Sequence, residues 1–235
     1  MASIDTRWTR KAHRWIAILF SLSVLMSAGS GVLHQVMSRT QAPPPKARPA
    51  SKINPAEIKV SIAEASQRLG IKSEDACDLI SVRSIGSRPW YQFMIHGQER
   101  PGYVEAITGE IKLDADERYA EQIASDFMAG KPVKKTAFLT HYDKEYINIF
   151  RILPVYRFDV EDGLGTRLYV STMTGSVTRH TNNHKQWEAS IFSNFHKLMF
   201  IPNKDIRDAV LMILTGGAFV AAALGIILFI ATKRS

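Results

Sequence analysis

Arg10-Lys-Ala-His-Arg-Trp-Ile-Ala-Ile-Leu-Phe-Ser-Leu-Ser-Val-Leu-Met-Ser-Ala-Gly-Ser-Gly-Val-Leu-His-Gln-Val-Met37 decides the fold class. The 22 residues from Trp15 to Val36 carry no formal charge. At about 1.5 Å rise per residue, a helix of that length covers the roughly 30 Å hydrocarbon core of a bilayer. A histidine stands at each end, His13 and His34. An ionisable side chain at membrane depth marks a functional site by default. A second uncharged run, Ala209 to Ala231, is also long enough to span. Ala28-Gly29-Ser30 has the small residues of a cleavage site, but the apolar run continues past it to Val36. That is long for the apolar region of a signal peptide, so an uncleaved anchor is expected.

The net charge of +8 is unevenly placed. Between Ile53 and Asn203 there are 18 Lys/Arg and 19 Asp/Glu, whereas the rest of the chain holds 12 basic and 3 acidic residues. The excess therefore sits at the membrane flanks and in the linker, where it meets anionic lipid and sets topology. A nucleic-acid partner is excluded on this distribution. Arg7, Arg10, Lys11 and Arg14 precede the first span, and Lys233 and Arg234 follow the second. Arg39, Lys46, Arg48 and Lys52 dilute the asymmetry from the other side, but long loops translocate largely regardless of charge. Both termini are expected to be cytoplasmic, with the main domain outside. The single cysteine, Cys77, permits no internal disulfide, no Cys-x-x-Cys-His haem attachment and no cysteine-ligated cluster within one chain. Any redox cofactor must be held non-covalently.

The expected fold class is α+β: two transmembrane helices flanking a domain built from repeated helix-plus-antiparallel-sheet units. The expected boundaries are a basic tail (1–14), the first membrane helix (15–37) and a Pro-rich linker (38–56). Two repeats follow (57–113 and 114–182), then an interfacial amphipathic helix (183–203), the second membrane helix (204–231) and a tail (232–235). The linker has five prolines between Pro43 and Pro55 and reads as a stiff polyproline-type spacer. Ser61 and Glu64 form a capping-box pattern, with Val60 outside it and Gly70 as the stop. Strand patterns cover Leu79 to Ile85, Trp90 to Ile95 and Tyr103 to Ile107. A second helix is expected from about Asp116 to Ala129, ended by Gly130 and Pro132.

The repeat itself is visible in two offsets. Pro89-Trp90-Tyr91-Gln92-Phe93 returns as Pro154-Val155-Tyr156-Arg157-Phe158, 65 residues later. Tyr103-Val104 with Ile107-Thr108-Gly109-Glu110-Ile111 returns as Tyr169-Val170 with Met173-Thr174-Gly175-Ser176-Val177, 66 residues later. In each copy Thr-Gly supplies the positive-φ position of a hairpin.

This Tyr-Val-x-x-x-Thr-Gly-x-[Ile/Val] hairpin resembles the PepSY domain. The framing resembles the PepSY-associated transmembrane family: His13-Arg14-Trp15 opens the first span, and Phe195-His196-Lys197-Leu198-Met199-Phe200 precedes the last. The resemblance covers nearly the whole chain outside the linker. It implies a bacterial inner-membrane protein with non-covalent haem b that reduces ferric iron or a ferric chelate on the periplasmic face. The better-known members have about four membrane helices and two haems. With two helices here, the resemblance points to a homodimer that completes the site. Because PepSY units elsewhere are associated with protease inhibition, the alternative is a cofactor-free anchor presenting a PepSY module to a periplasmic partner protein.

Haem b takes imidazole ligands. His13 and His34 are 21 residues apart, about 31 Å along a helix, so they cannot share an iron within one chain. Trp187 to Phe200 reads as an interfacial helix with Phe192, Phe195, His196 and Met199 on one face. His34 and His196 are therefore expected to meet at the outer leaflet as axial ligands. The competing assignment for each is an interfacial histidine bonded to backbone or water. His13, among basic residues, is explained by headgroup contact or by ligation of a second haem with a partner chain. Arg39, Lys197 and Arg207 stand at the level of haem propionates, with interfacial snorkelling as the simpler use. His180 and His184, in a stretch whose Asn-Asn pair favours a loop, are candidates for meeting ferric substrate. Gly217, Ala221 and Gly225 form a small-residue stripe that suits helix packing or a porphyrin edge. No electron donor is indicated.

Overall fold

The computed structural model describes residues 6–41, 52–72 and 76–233. The expected linker prolines from Pro43 to Pro49, with Lys46 and Arg48, lie outside the described residues, as do the first five residues and Arg234. The chain forms two compact units: Met1–Ala42 with His184–Ser235, and Pro43–Asn183.

The first unit holds three helices, α1 (Thr6–Thr40), α4 (Asn183–Lys197) and α5 (Lys204–Lys233). Of these, α1 and α5 are long and apolar enough to cross a membrane. Their outward faces are apolar: Trp15, Leu19, Phe219 and Phe229 are each at least two-thirds exposed. A contiguous surface of this kind is unfavourable in water and suits lipid or a partner helix. The helices therefore run beyond the charge-free runs at both ends, and α1 extends three residues into the expected linker. Asn203 caps α5, its Oδ1 accepting from the Ile206 N–H at 3.0 Å.

The second unit contains α2 (Ile62–Arg68), α3 (Ala115–Phe127) and two antiparallel sheets. The first sheet orders β1 (Cys77–Ile85), β2 (Arg88–Ile95) and β3 (Gly102–Glu105); the second orders β4 (Val133–Leu139), β5 (Val155–Val160), β6 (Thr166–Ser171) and β7 (Ser176–Thr181). Strand pairing in one sheet reproduces pairing in the other. Tyr91 opposes Val104 as Tyr156 opposes Val170. Gln92 opposes Tyr103 as Arg157 opposes Tyr169, and Val82 opposes Tyr91 as Phe138 opposes Tyr156. The counterpart of β7 in the first sheet is a single bridge, Val104 to Ile111, at the positions of Val170 and Val177. A one-residue slip would turn every side chain to the other face, so the two sheets share one register at these four corresponding pairs.

Helix ends follow the local chemistry. Ser61 Oγ accepts from the Glu64 N–H at 3.1 Å, and Val60 is buried behind it. At the other end Gly70 (φ +74°) and Ile71 donate back to Gln67 and Ser66, closing a Schellman motif. The end of α3 departs from expectation. Its left-handed residue is Ala129 (φ +59°), while Gly130 takes the next position and donates to Ser125.

In the first copy, α2 covers Tyr91, Phe93 and Val104. In the second, α3 covers the equivalent Tyr156, Phe158 and Val170 through Ala120 and Ala124, whose small side chains allow close approach. Ala115 and Tyr119 of α3 also cover Trp90 and Tyr103 of the first sheet, so α3 serves both cores. Where the first copy joins its strands by the tight Gly86-Ser87 turn, the second inserts a longer connection. That connection folds back to bury Tyr146 against Val155 and Tyr169.

Candidate functional site

The candidate site is built within the first unit, where α4 lies against α1. Three α4 residues at four-residue spacing, Glu188, Phe192 and His196, face α1. This stripe differs from the expected face of Phe192, Phe195, His196 and Met199. The helix stops at Lys197, with Leu198 in the left-handed region (φ +49°) and buried, so Met199 belongs to the turn that follows. Phe195 and Met199 are half-exposed.

His34 and His196 come to a common ring rather than to one another. The His34 centroid is 5.2 Å from that of Phe192, and His196 stacks on Phe192 at 4.6 Å with the planes 13° apart. Each imidazole has its Nδ1 engaged. His34 Nδ1–H donates to Glu188 Oε1 at 2.6 Å, and His196 Nδ1 lies 3.2 Å from Ser27 Oγ and 3.5 Å from Ser30 Oγ. Nε2 is then the nitrogen left on both rings, and an imidazole so anchored is oriented as metal-ligating histidines are. Gln41 Nε2 donates to the other oxygen of Glu188 at 2.7 Å.

Beside His196, between α1, the end of α4 and α5, is a cavity of about 470 Å³. Leu22, Val24, Met26, Leu211 and Leu214 make its walls, and His196 is the one ionisable side chain lining it. Both size and apolar lining are those of a cofactor pocket. Of the two imidazoles only His196 lines this cavity; His34 stands one ring away, across Phe192. Phe192 occupies the position between the two imidazoles.

His13 lies apart from this site. Its Nδ1–H donates to the Ala221 carbonyl of α5 at 2.9 Å, and it is half-buried between the two helices. The small-residue stripe explains the seat. A Cβ on Gly225 would lie 3.1 Å from His13 Cε1, and one on Gly217 would run into the Phe20 ring. Gly217, Ala221 and Gly225 thus accommodate α1 side chains, which is the helix-packing use of such stripes.

Among the expected propionate partners, Lys197 lies beside the site, with Nζ 5.8 Å from the Phe192 centroid. Arg39 is exposed in the last turn of α1. Arg207 is turned elsewhere, toward the Ile201 carbonyl at 3.5 Å and Asp208 at 3.9 Å. The loop expected around His180 and His184 is absent: His180 is on β7, against Phe127 at 5.7 Å, and His184 is in the first turn of α4. Only Asn182 separates the strand from the helix. Among the described residues, no group of three or more His, Cys, Asp or Glu side chains is placed to hold a metal ion. Glu188 went unnoticed in the sequence, although its spacing from His196 by two α-helical turns could have disclosed it.

Compared with known proteins, the chain matches no protein-family model, no curated protein and no solved structure.

Proposed function

We propose that the chain is a two-pass inner-membrane haem b protein that carries electrons to ferric iron or a ferric chelate outside the cytoplasm. The reading rests on His196: it is the one ionisable side chain on an apolar cavity of about 470 Å³ between helices of membrane-spanning length. Its Nδ1 is occupied by Ser27, and a second imidazole, His34, is anchored the same way by Glu188. In this reading His34 and His196 supply the iron ligands, and Lys197 and Arg39 are the cations for the propionates. Bound haem would supply one-electron redox chemistry. The chain's own part is to hold the imidazoles and to exclude water with the Leu and Met walls, which stand on Leu19 to Ala28 of α1 and Leu211 to Ala218 of α5. The domain between the helices lies on the periplasmic side and is PepSY-like. A homodimer covers the exposed apolar faces of α1 and α5 and brings a second set of imidazoles.

The test is the absorption spectrum of the full chain purified from haem-replete cells, which should show a Soret band and sharpened α and β bands on reduction. A second reading has an observation of its own. Phe192 packs against both imidazoles, and Glu188 and Ser27 satisfy them without iron. That packing suits a cofactor-free anchor presenting the two-sheet domain to a partner protein, and such a chain would be folded and colourless.

A further inference from the structure

A cavity of about 270 Å³ lies beside the Gly86-Ser87 turn of the first sheet, and charged side chains line it: Arg88, Lys112, Arg118 and Glu105. Three cations against one carboxylate leave these walls with a net charge of +2. The Glu105 side chain is 2% exposed, and both of its oxygens are taken, Oε1 by Arg88 Nη1 at 2.7 Å and Oε2 by the Thr108 hydroxyl. Arg88 is thereby fixed, yet its side chain stays 62% exposed, with most of its five N–H donors free for another acceptor. Arg118, in the first turn of α3, makes no side-chain hydrogen bond or ion pair among the described residues. Lys112 reaches Glu110 at 3.4 Å. Like charges gathered on one cleft repel one another, and the cleft focuses their field on an incoming anion.

In the second copy the chain fills the same place itself. By the 65- and 66-residue offsets, Arg88, Trp90, Glu105 and Lys112 correspond to Leu153, Val155, Ser171 and Thr178. There the longer connection brings in Tyr146, which is fully buried in a cluster with Val155 and Leu153. Its hydroxyl donates to the Ile152 carbonyl at 2.9 Å and lies 2.9 Å from Thr178 Oγ1. The first copy has a two-residue turn instead, and three of the four corresponding positions are charged. A gap left by a shorter connection alone would be closed by apolar side chains, since interiors tolerate few voids. Here only the floor is apolar, made by the buried Trp90 and Ile85. We propose that this cavity binds a small organic dianion, its phosphate or carboxylate end held by Arg88, Lys112 and Arg118 and its body lying on Trp90 and Ile85. Guanidinium groups suit such an end because their fork of donors matches two oxygens at once. The site lies wholly within the second unit and is independent of how His34 and His196 are used.

The experiment titrates the full chain in an uncharged detergent at physiological ionic strength, where loose surface attraction is screened. Isothermal titration calorimetry measures phenyl phosphate, succinate and, as the uncharged counterpart, phenol. The chains compared are wild type, Lys112→Thr, Arg118→Gln and, as a control at an exposed position outside the cavity, Lys131→Gln. Lys112 and Arg118 are chosen because neither bonds to the buried Glu105, which loss of Arg88 would strand. Wild type is expected to bind phenyl phosphate or succinate saturably and phenol not at all. Lys112→Thr and Arg118→Gln should each weaken that binding by about 10-fold or more, while Lys131→Gln leaves it unchanged. Tighter phenyl phosphate identifies a phosphate ester as the ligand class, and tighter succinate a dicarboxylate. The proposal is overturned if neither dianion binds saturably, if phenol binds as well as phenyl phosphate, or if the Lys112 and Arg118 variants keep the wild-type affinity. Should one of the two variants fail to fold, the other decides.

Discussion

The hydroxyls of Tyr103 and Tyr156, one from each sheet, converge on the two oxygens of Asp116 at 2.8 and 2.7 Å. All three residues are buried. Gln92 extends the network by donating to the Tyr103 hydroxyl at 2.6 Å and to the Thr172 carbonyl at 3.1 Å. In the first copy the tyrosine equivalent to Tyr156, Tyr91, donates instead to the Val60 carbonyl just before α2. Both tyrosines thus tie a sheet to the start of the helix above it, and Asp116 lets one helix serve two sheets. Replacing Asp116 by Ala leaves two buried hydroxyls without their acceptor and is expected to cost about 2–4 kcal/mol. Denaturant unfolding followed by near-ultraviolet circular dichroism measures it. The Tyr103→Phe, Tyr156→Phe double variant should lose most of its sensitivity to Asp116→Asn, since no donors then remain to be stranded.

The same residues set how stability depends on alkali. Burial first, then the Asp116 charge, raises the pKa of both Tyr103 and Tyr156. A group whose folded pKa is raised gives stability that is complete below its unfolded pKa and is lost above it. The loss therefore begins near pH 10, the ordinary tyrosine value. At the acid end, burial pushes Glu105 upward, but hydrogen bonds from Arg88 and Thr108 outweigh it and hold the pKa below the usual value. Its contribution is present above about pH 4.3 and is lost as pH falls through the lower folded pKa. In Arg88→Ala two of the causes that lower the Glu105 pKa are gone, so that variant is destabilised at neutral pH and its deficit shrinks in acid. Unfolding curves of wild type and variant between pH 3 and pH 11 report both ends.

Backbone conformation gives a pair of opposite effects. Gly175 holds φ +65° in the second hairpin, and a Cβ there would lie 2.7 Å from the Tyr119 hydroxyl. Gly175→Ala should destabilise by at least about 1–2 kcal/mol. Ala129 already accepts that strain after α3, so Ala129→Gly should stabilise by about 1 kcal/mol. Melting temperatures of the two variants should move in opposite directions from wild type.

In the first unit, Gly217 and Gly225 give α5 its close approach to Phe20 and His13. Gly217→Leu and Gly225→Leu should separate α1 from α5, while Gly216→Leu, facing open space, should not. Thermal loss of helical circular dichroism in detergent distinguishes them: the first two shift downward and the third stays with wild type.

The repeat is legible in the sequence because strand periodicity and the Thr-Gly hairpins constrain register, and a register shared by two copies leaves matching offsets. The two long apolar helices are legible because an uncharged run of that length has few other uses. The site was only partly legible. His34 and His196 stand out as histidines near the long apolar runs, but Glu188 is one acid on a polar helix, and only the packing of α4 on α1 turns it inward. The left-handed Leu198 that ends α4 gives no compositional signal, because an apolar residue rarely marks such a stop. The Asn-Asn pair at 182–183 misleads for a similar reason. Asparagine favours caps as well as loops, and here Asn183 Oδ1 accepts from Arg167 Nη1 at 2.8 Å where strand passes directly into helix.

The spectrum of the purified chain tests the central claim most directly. Full-length protein from haem-replete cells, folded and monodisperse in detergent, is predicted to show a Soret band, with sharp α and β bands after dithionite. Those bands should be lost when His34→Ala and His196→Ala are combined. The same preparation, folded but colourless, would contradict the account.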